Sequence, residues 1–98
     1  MAMTVIITRD VEERYRGFIL SCMPEIAPGV YASSNLNQGI RERLWAVVWD
    51  WHAQIGRGSI SMIHEDRTSP SGLHIRSVGE PAKELIDFDG FYVSLKRE

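Results

Sequence analysis

The first predicted element is a short strand that is rich in β-branched residues. Residues 4–8 read Thr-Val-Ile-Ile-Thr, so three apolar positions follow one another without alternation. Continuous apolarity is typical of a strand that is covered on both faces, whereas alternation indicates one solvated face. We therefore expect residues 4–8 to form a central strand of a sheet.

A helix is predicted directly after this strand. Asp10 is a residue type favoured at helix N-caps, and Glu13 would complete a capping box three positions later. Pro24 and the Pro28-Gly29 pair are expected to end the helix and turn the chain. Between these limits, apolar residues recur at helical spacing and predict one buried stripe, which consists of Val11, Tyr15, Phe18, Ile19 and Cys22.

The rest of the chain predicts four more strands around one longer helix. Residues 29–33 indicate a second strand, with room for one more short strand after it, and polar residues 33–37 supply caps for the second helix. Later strands are predicted at 59–63, 73–76 and 91–97, the last after a polar connection. Gly56 and Gly58 close the second helix, and its predicted core stripe is Ile40, Leu44, Val48, Trp51 and Ile55.

The resulting order, β-α-β-α-β-β-β, predicts a single α+β domain over residues 1–98. Strands that alternate with two helices are typical of ferredoxin-like folds, in which both helices cover one face of a small sheet. The segment 91–97 is either an edge strand or a strand donated to a neighbouring subunit. Because a small open sheet leaves an edge free, we expect a homodimer.

Composition limits the kinds of nucleic-acid contact that this domain can make. The 98 residues include 11 Lys and Arg against 13 Asp and Glu, which gives a formal net charge of −2. This balance argues against coating of nucleic acid by bulk positive charge, so phosphate contacts need a local basic cluster or a patch doubled by dimerisation. The single cysteine, Cys22, excludes an internal disulfide and a cysteine-based zinc site. Together with the lack of a leader-like start and of a long apolar run, it suggests a cytoplasmic protein.

Asp10 is the first candidate for chemistry because it lies where the first strand passes into a helix. One carboxylate is a poor Mg²⁺ site, since Mg²⁺ takes about six oxygen ligands and usually one or two protein carboxylates. A dimer axis nearby would add a second Asp10 and make such a site plausible. The alternative is the capping box alone, which explains Asp10 without a metal.

Two short basic runs are candidates for phosphate contacts. Arg14 and Arg16 lie on the first helix, and the helical repeat places them on opposite sides of its apolar stripe. They could follow a duplex laid across a dimer, and the alternative is ion pairing with Glu12 and Glu13. Arg41, on the second helix, borders the predicted core stripe and has carboxylate neighbours of its own.

Aromatic and histidine side chains suggest other surfaces. Trp45 and Trp49 lie four residues apart and away from the core stripe, so they form either a partner surface or a flank covered by the Pro-Gly loop. The run His64-Glu65-Asp66 alternates sides along a strand end, and a solvated turn explains it better than a ligand cluster. The three histidines, at positions 52, 64 and 74, show no metal-like spacing.

The ordered set of motifs resembles one known family. In sequence order the motifs are T-R-D-V at 8–11, R-x-R-G at 14–17, A-P-G-V-Y at 27–31, I-R-E-x-L-W at 40–45, G-S-I-S-M at 58–62 and D-F-D-G at 87–90. This set is similar to the Cas-two family of CRISPR adaptation proteins, in its type I-E branch. The resemblance covers about residues 3–95, essentially the whole chain.

The resemblance implies a ferredoxin-like homodimer that sits between two dimers of the Cas-one integrase. Such an assembly captures double-stranded DNA and inserts it as a new spacer into a CRISPR array, with the integration chemistry performed by the integrase. The C-terminal strand of this branch helps to dock the integrase, which assigns that role here to Phe91, Tyr92, Val93 and Leu95.

Matched position by position, the resemblance also assigns residues to DNA. Arg14, Arg16 and Arg41 match basic positions that contact the backbone of the bound duplex. Lys83 matches one member of an arginine pair near the centre of the duplex. Phosphate contacts of this kind hold a duplex without reading its bases, as capture of arbitrary sequences requires.

A catalytic role is the main alternative that the resemblance leaves open. Many relatives are described as Mg²⁺-dependent endonucleases with an acidic residue at the end of the first strand. Here Arg9 holds that position and Asp10 follows one place later, which changes the side-chain direction substantially. The resemblance therefore favours a non-catalytic scaffold over an endonuclease that uses Asp10 as catalytic residue and Mg²⁺ ligand. A generic ligand-binding or regulatory module is the third hypothesis.

Overall fold

The structure consists of strands with two helices inserted between them. The computed structural model describes residues 3–79 together with the backbone of residues 83–88 and 91–96. No helix within these ranges is long and apolar enough to cross a membrane. In chain order, the elements are β1 (Thr4–Arg9), α1 (Glu13–Leu20), β2 (Glu25–Ala27), β3 (Val30–Ser33), α2 (Gln38–Ile55), β4 (Ser59–Glu65), β5 (Leu73–Val78), β6 (Lys83–Phe88) and β7 (Phe91–Lys96).

The first five strands form one antiparallel sheet in the order β2-β3-β1-β4-β5. β1 is flanked by β3 and β4, so that Ile6 lies opposite Tyr31 on one side and Met62 on the other. Helix α1 connects β1 to β2 with β3 paired between them, which is a split βαβ arrangement. β6 and β7 pair with each other in a separate two-stranded sheet. The predicted α+β class and the central place of the first strand are confirmed.

Two strands are present that the sequence pattern does not predict. β2 and β3 form a hairpin where a single strand is expected, and its turn depends on Gly29, whose φ is 74°. A Cβ atom at Gly29 would lie 2.8 Å from the carbonyl oxygen of Thr8 in β1, so a larger residue does not fit. β6 occupies most of the segment expected to be a polar connection. The order through β5 is therefore βαββαββ, and the expected β-α-β-α-β-β-β is wrong in these two places.

The first helix begins without the expected capping box. Its N-cap is Glu12, which makes no side-chain capping hydrogen bond, and α1 starts at Glu13. Asp10 lies in the turn between β1 and α1, in a left-handed conformation with a φ of 56°. The capping role predicted for Asp10 is therefore wrong, because the chain makes an additional turn before it enters the helix.

One face of the five-stranded sheet carries the hydrophobic core. Alternate residues of β1 and β4, including Ile6, Ile60 and Met62, are fully buried on this face. Both helices contribute to the same cluster of buried residues, with Tyr15 and Ile19 from α1 and with Leu44 and Val48 from α2. The expectation that both helices cover one face of the sheet agrees with this single cluster.

The other face of the sheet is open. The registers of β1, β3, β4 and β5 place seven apolar residues on it, and all of them are only partly buried or exposed. We call this surface the open sheet face, and its apolar residues are Val5, Ile7, Val30, Ala32, Ile63, Leu73 and Ile75. The expectation that the first strand is covered on both faces is therefore wrong for the single chain.

Helix α2 has the expected end signals but a partly different buried face. The side chain of Asn37 accepts hydrogen bonds from the first turn, and Gly56 ends the helix in a left-handed conformation. Ile40 is exposed whereas Arg41 is buried, so the predicted stripe is wrong at its first position. The other members of the stripe are buried or pack against the core, namely Leu44, Val48, Trp51 and Ile55.

Candidate nucleic-acid interface

Helix α1 presents its two arginines on different sides. Arg14 faces α2, where its guanidinium carbon lies 5.6 Å from the ring centroid of Trp51. Arg16 faces the β2–β3 hairpin, where its Nε donates a hydrogen bond of 3.1 Å to Glu25. The Arg14 and Arg16 side chains are 55% and 54% exposed. The predicted placement on opposite sides of the helix is confirmed, and both cations are accessible from outside.

Arg14 is held by an aromatic ring and a carboxylate. Trp51 packs edge-on against Tyr15 and Phe18, with ring centroids 5.4 and 5.3 Å away, so its own position is fixed. Glu12 Oε1 lies 3.3 Å from Arg14 Nε. A guanidinium that lies over an indole keeps N–H donors at its edge for other partners. Arg14 is therefore oriented from behind without losing its capacity to bind an anion.

Arg16 is held by two carboxylates of different character. Glu25 is largely buried, and its second oxygen accepts a 2.9 Å hydrogen bond from the backbone N–H of Gly29. Glu13 is exposed and lies 3.6 Å from Arg16 Nη1. The Gly29 N–H, and after it Arg16, lower the pKa of Glu25, and the hydrogen bond to Glu25 raises the pKa of Arg16. The Arg16–Glu25 pair is therefore charged throughout the physiological range.

Local ion pairing, the alternative explanation for these arginines, is also observed. Glu12 pairs with Arg14 and Glu13 pairs with Arg16, all in exposed positions. Exposed ion pairs contribute little to stability, because solvent screens them and side-chain freedom opposes them. A phosphate group can therefore replace either glutamate as partner at small cost, and the pairs do not exclude a role in DNA binding.

The end of β1 borders a shallow cavity of about 450 Å³. Asp10 and Arg9 line it, and Asp10 Oδ1 pairs with Arg57 Nη2 at 3.1 Å. Three chain segments meet closely here, since a Cβ atom at Gly58 would lie 2.4 Å from the carbonyl oxygen of Asp10. A Cβ atom at Gly79 would lie 2.5 Å from the carbonyl oxygen of Gly58. The cavity is thus shaped by backbone contacts that only glycine permits.

The residues at this cavity do not fit a Mg²⁺ site within one chain. Asp10 is the single carboxylate among the described lining residues, and it already pairs with the cation of Arg57 beside Arg9. Across the described part of the chain, no group of three or more His, Cys, Asp or Glu side chains could hold a metal ion. Mg²⁺ needs more oxygen ligands than this. The catalytic and Mg²⁺-binding roles of Asp10 stay predictions that require ligands from a second chain.

Arg41 lies in a buried polar cluster between α2 and the sheet. Its side chain is 9% exposed, and its Nε lies 3.7 Å from Glu42 and has no hydrogen-bond partner. Glu42 also pairs with Arg76 of β5, which lowers the pKa of Glu42. The duplex contact that the resemblance implies for Arg41 would therefore require its side chain to leave a buried position.

Two histidines complete this cluster. His64 Nδ1 lies 3.0 Å from the carbonyl oxygen of Glu65, and His64 Nε2 lies 3.1 Å from Nδ1 of His74. Because a carbonyl oxygen only accepts, His64 carries its proton on Nδ1, and His74 donates to His64 Nε2. Burial lowers the pKa of His64, and the charges of Arg41, His74 and Arg76 lower it further. The expectation of a solvated turn is wrong for His64, which is a buried strand residue.

The two tryptophans of α2 differ in burial. Trp45 packs against the hydrophobic core, whereas Trp49 is exposed, and their ring centroids are 6.4 Å apart. The expectation that both rings point away from the core is therefore wrong for Trp45. Of the two, Trp49 offers the larger surface to a partner.

The remaining predicted site residues belong to the last two strands. Lys83 is the first residue of β6, and β7 contains the predicted integrase-docking residues Phe91, Tyr92, Val93 and Leu95. The side chains of both strands lie outside the described part of the chain. The contacts predicted for them with DNA and integrase stay predictions.

Three residues of this region are not indicated by any motif. Glu25, Arg57 and Arg76 each form an ion pair with a residue of another element or turn. A weak signal exists for Arg57, because glycines on both sides of it mark a tight turn that exposes its side chain. The other two depend on tertiary contacts that a linear pattern does not contain.

Comparison with known proteins identifies a family. A family model described as CRISPR-associated protein (Cas_Cas2CT1978) matches residues 3–93, which is nearly the whole chain. The matched range includes the five-stranded sheet, both helices and the two arginines of α1. No curated protein matches the chain at a significant level.

Proposed function

Because the chain belongs to this CRISPR-associated protein family, we propose that it acts in spacer acquisition. In this role, a cytoplasmic, ferredoxin-like homodimer of the Cas-two type I-E branch binds double-stranded DNA and bridges dimers of the Cas-one integrase. The integrase performs the chemistry, and this chain supplies the platform. The observation that carries the proposal is the pair of half-exposed arginines on α1, within a chain that matches the family almost from end to end.

The setting of Arg14 and Arg16 supports contacts with the DNA backbone. Each guanidinium is held from behind, by Trp51 in one case and by Glu25 in the other, and each remains half-exposed. The planar donors of arginine match the geometry of phosphate oxygens. Phosphate contacts hold any sequence, which suits a protein that captures foreign DNA.

The open sheet face supports the homodimer. It gathers seven apolar side chains on a surface that the two helices of the chain do not cover. Contiguous exposed apolar surface marks protein–protein contacts. A second copy is the partner that the weakly acidic chain needs, because twofold symmetry brings a second pair of α1 arginines to the same particle.

Duplex binding by single-residue variants tests the proposal. We expect Arg14→Ala and Arg16→Ala each to weaken binding of a fluorescein-labelled duplex of random sequence. Each should also reduce the slope of log affinity against log salt by about 0.9 for every phosphate group that the variant no longer binds. Unchanged affinity in both variants would refute the role in DNA binding.

A matched control separates a specific contact from general charge. Arg67→Ala makes the same change in net charge at a different place. Arg67 lies in the loop after β4, beside the start of β1, whereas Arg14 follows the end of β1. We expect Arg67→Ala to bind like the wild type, and an equal loss in all three variants would also count against the proposal. Bridging predicts that this chain and the Cas-one integrase elute as one assembly, and separate elution would refute that part.

A further inference from the structure

Glu25 is built into the β2–β3 hairpin so that it fixes the pose of Arg16. Its Oε2 accepts a 2.9 Å hydrogen bond from the Gly29 N–H, and its Oε1 accepts one of 3.1 Å from Arg16 Nε. Gly29 is anchored in turn, because Thr8 donates to the Gly29 carbonyl from its backbone N–H at 2.7 Å and from its hydroxyl at 3.0 Å. A continuous series of contacts therefore connects the central strand to Arg16.

The contact with Glu25 leaves most of the Arg16 guanidinium available. Glu25 engages the Nε, which lies on the inner side of the group, and the two terminal nitrogens remain. The neighbour of Nη1 is the exposed Glu13, at 3.6 Å, which is longer than a hydrogen bond. A phosphate can therefore meet the terminal nitrogens of Arg16 while Glu25 keeps its hold on Nε.

We propose that Glu25 is a positioning residue for duplex binding, an acidic side chain that strengthens the hold of the protein on DNA by orienting Arg16. The inference rests on the proposed function. The effect that we expect of Glu25 on DNA affinity is opposite to that of simple electrostatics, in which a carboxylate beside bound phosphates repels DNA and its removal improves binding. Orientation outweighs repulsion here because a preorganised arginine loses less conformational freedom when it binds a phosphate.

Two alanine variants with the same change in charge give the test. Glu25→Ala and Glu13→Ala each remove one carboxylate next to Arg16, the first largely buried and the second exposed. With the fluorescein-labelled random duplex as probe, we expect Glu25→Ala to weaken binding severalfold. We also expect it to reduce the salt slope by about 0.9 for the one phosphate group that Arg16 binds. Glu13→Ala should strengthen binding, since it removes repulsion and leaves the hold of Glu25 intact.

Two further variants separate positioning from damage to the hairpin. In an Arg16→Ala background, we expect Glu25→Ala to cause no additional reduction of affinity, whereas general damage would weaken binding there as well. Glu25→Gln keeps an acceptor for Arg16 Nε and should recover part of the affinity that Glu25→Ala loses. A role in fold stability alone would predict additive reductions and an unchanged salt slope.

The outcomes distinguish this inference from the proposed function. If Glu25→Ala strengthens binding while Arg16→Ala weakens it, the positioning role is refuted and the proposed function stands. If Arg16→Ala leaves both affinity and salt slope unchanged, the DNA contact of Arg16 is refuted and the inference fails with it.

Discussion

Replacement of His64 tests the buried polar cluster under α2, because protonation of this residue opposes folding. In the folded chain, Nδ1 donates to the carbonyl of Glu65 and Nε2 accepts from His74. A proton added at Nε2 would remove the acceptor that the Nδ1–H group of His74 uses at 3.1 Å. His64→Gln is the informative change, since glutamine does not titrate but can both donate and accept.

The direction of the pH dependence follows from the lowered pKa of His64. Burial is the largest cause of the shift from the ordinary value of 6.5, and neighbouring cations add to it. The unfolded chain therefore binds more protons than the folded chain, so stability increases with pH. The contribution is complete above pH 6.5 and is lost as the pH falls from there through the lowered pKa.

The size of the effect follows from the hydrogen bond that protonation removes. Leaving a buried donor without its acceptor costs about 1–3 kcal/mol. We therefore expect the free energy of unfolding of the wild type to fall by about 1–3 kcal/mol across this window. His64→Gln should give a flatter profile over the same pH range.

Urea unfolding at fixed protein concentration, repeated over a series of pH values, measures both profiles. His52→Gln is the matched control, because it makes the same substitution at a partly buried histidine outside the cluster, beside the carbonyl of Gly58. The control should keep the wild-type slope. If His64→Gln keeps that slope as well, the hydrogen-bond directions assigned to the His64–His74 pair, and the role of its protonation, are wrong.

Other parts of the structure give predictions with controls of their own. Gly58→Ala should lower the free energy of unfolding by about 1–3 kcal/mol, because its φ is 80° and a Cβ would strike the backbone of Asp10. The control, Gly17→Ala in α1, should raise the free energy of unfolding by about 0.5–1 kcal/mol. Equal effects of the two variants in urea unfolding would contradict the geometry. Ile7→Glu on the open sheet face should produce monomers in chromatography with light scattering. Leu20→Glu is the control and should leave the dimer intact, although Leu20 is as exposed as Ile7, at 43% against 41%. Dimers in both variants would place the interface elsewhere. Asp10→Asn should change the free energy of unfolding by less than about 1 kcal/mol, because the ion pair of Asp10 is exposed and screened. Removal of divalent ions with EDTA should not alter stability either. An EDTA-sensitive midpoint of urea unfolding would indicate metal ligands that one chain does not supply.

The parts of the fold that the sequence predicts are those fixed by local signals. The apolar run of β1 indicates its central place, and Asn37 and Gly56 mark the ends of α2 because caps act within a few residues. The hairpin of β2 and β3 is different. β2 is three residues long, with an irregular register against β3, and its turn depends on the fit of Gly29 against Thr8. Such a contact between distant residues leaves no periodic pattern to detect.

The same division applies to the candidate site. The helical repeat alone places Arg14 and Arg16 on opposite sides of α1, but their partners Trp51 and Glu25 come from other elements. At the start of α2, the apolar pattern favours Ile40 as the inward residue, yet Arg41 is buried in its place. The cause lies in β4 and β5, which present polar side chains rather than an apolar surface to this end of the helix, including His64 and Arg76.

The ion pairs of the chain also differ in which charge lies outermost. Each α1 arginine has one partner carboxylate that is less exposed than itself, at 18% for Glu25 against 54% for Arg16 and 39% for Glu12 against 55% for Arg14. Glu13, the second partner of Arg16, is instead 89% exposed. At the end of β1 the order is reversed, since Asp10 is 72% exposed and Arg57 58%. A carboxylate behind an arginine orients it and leaves positive charge at the surface, whereas a carboxylate in front of it screens that charge from an approaching phosphate. Under the proposed function, Arg14 and Arg16 therefore present positive charge along α1 with Glu13 as the carboxylate that screens it, and we expect the end of β1 to lie outside the path of the DNA.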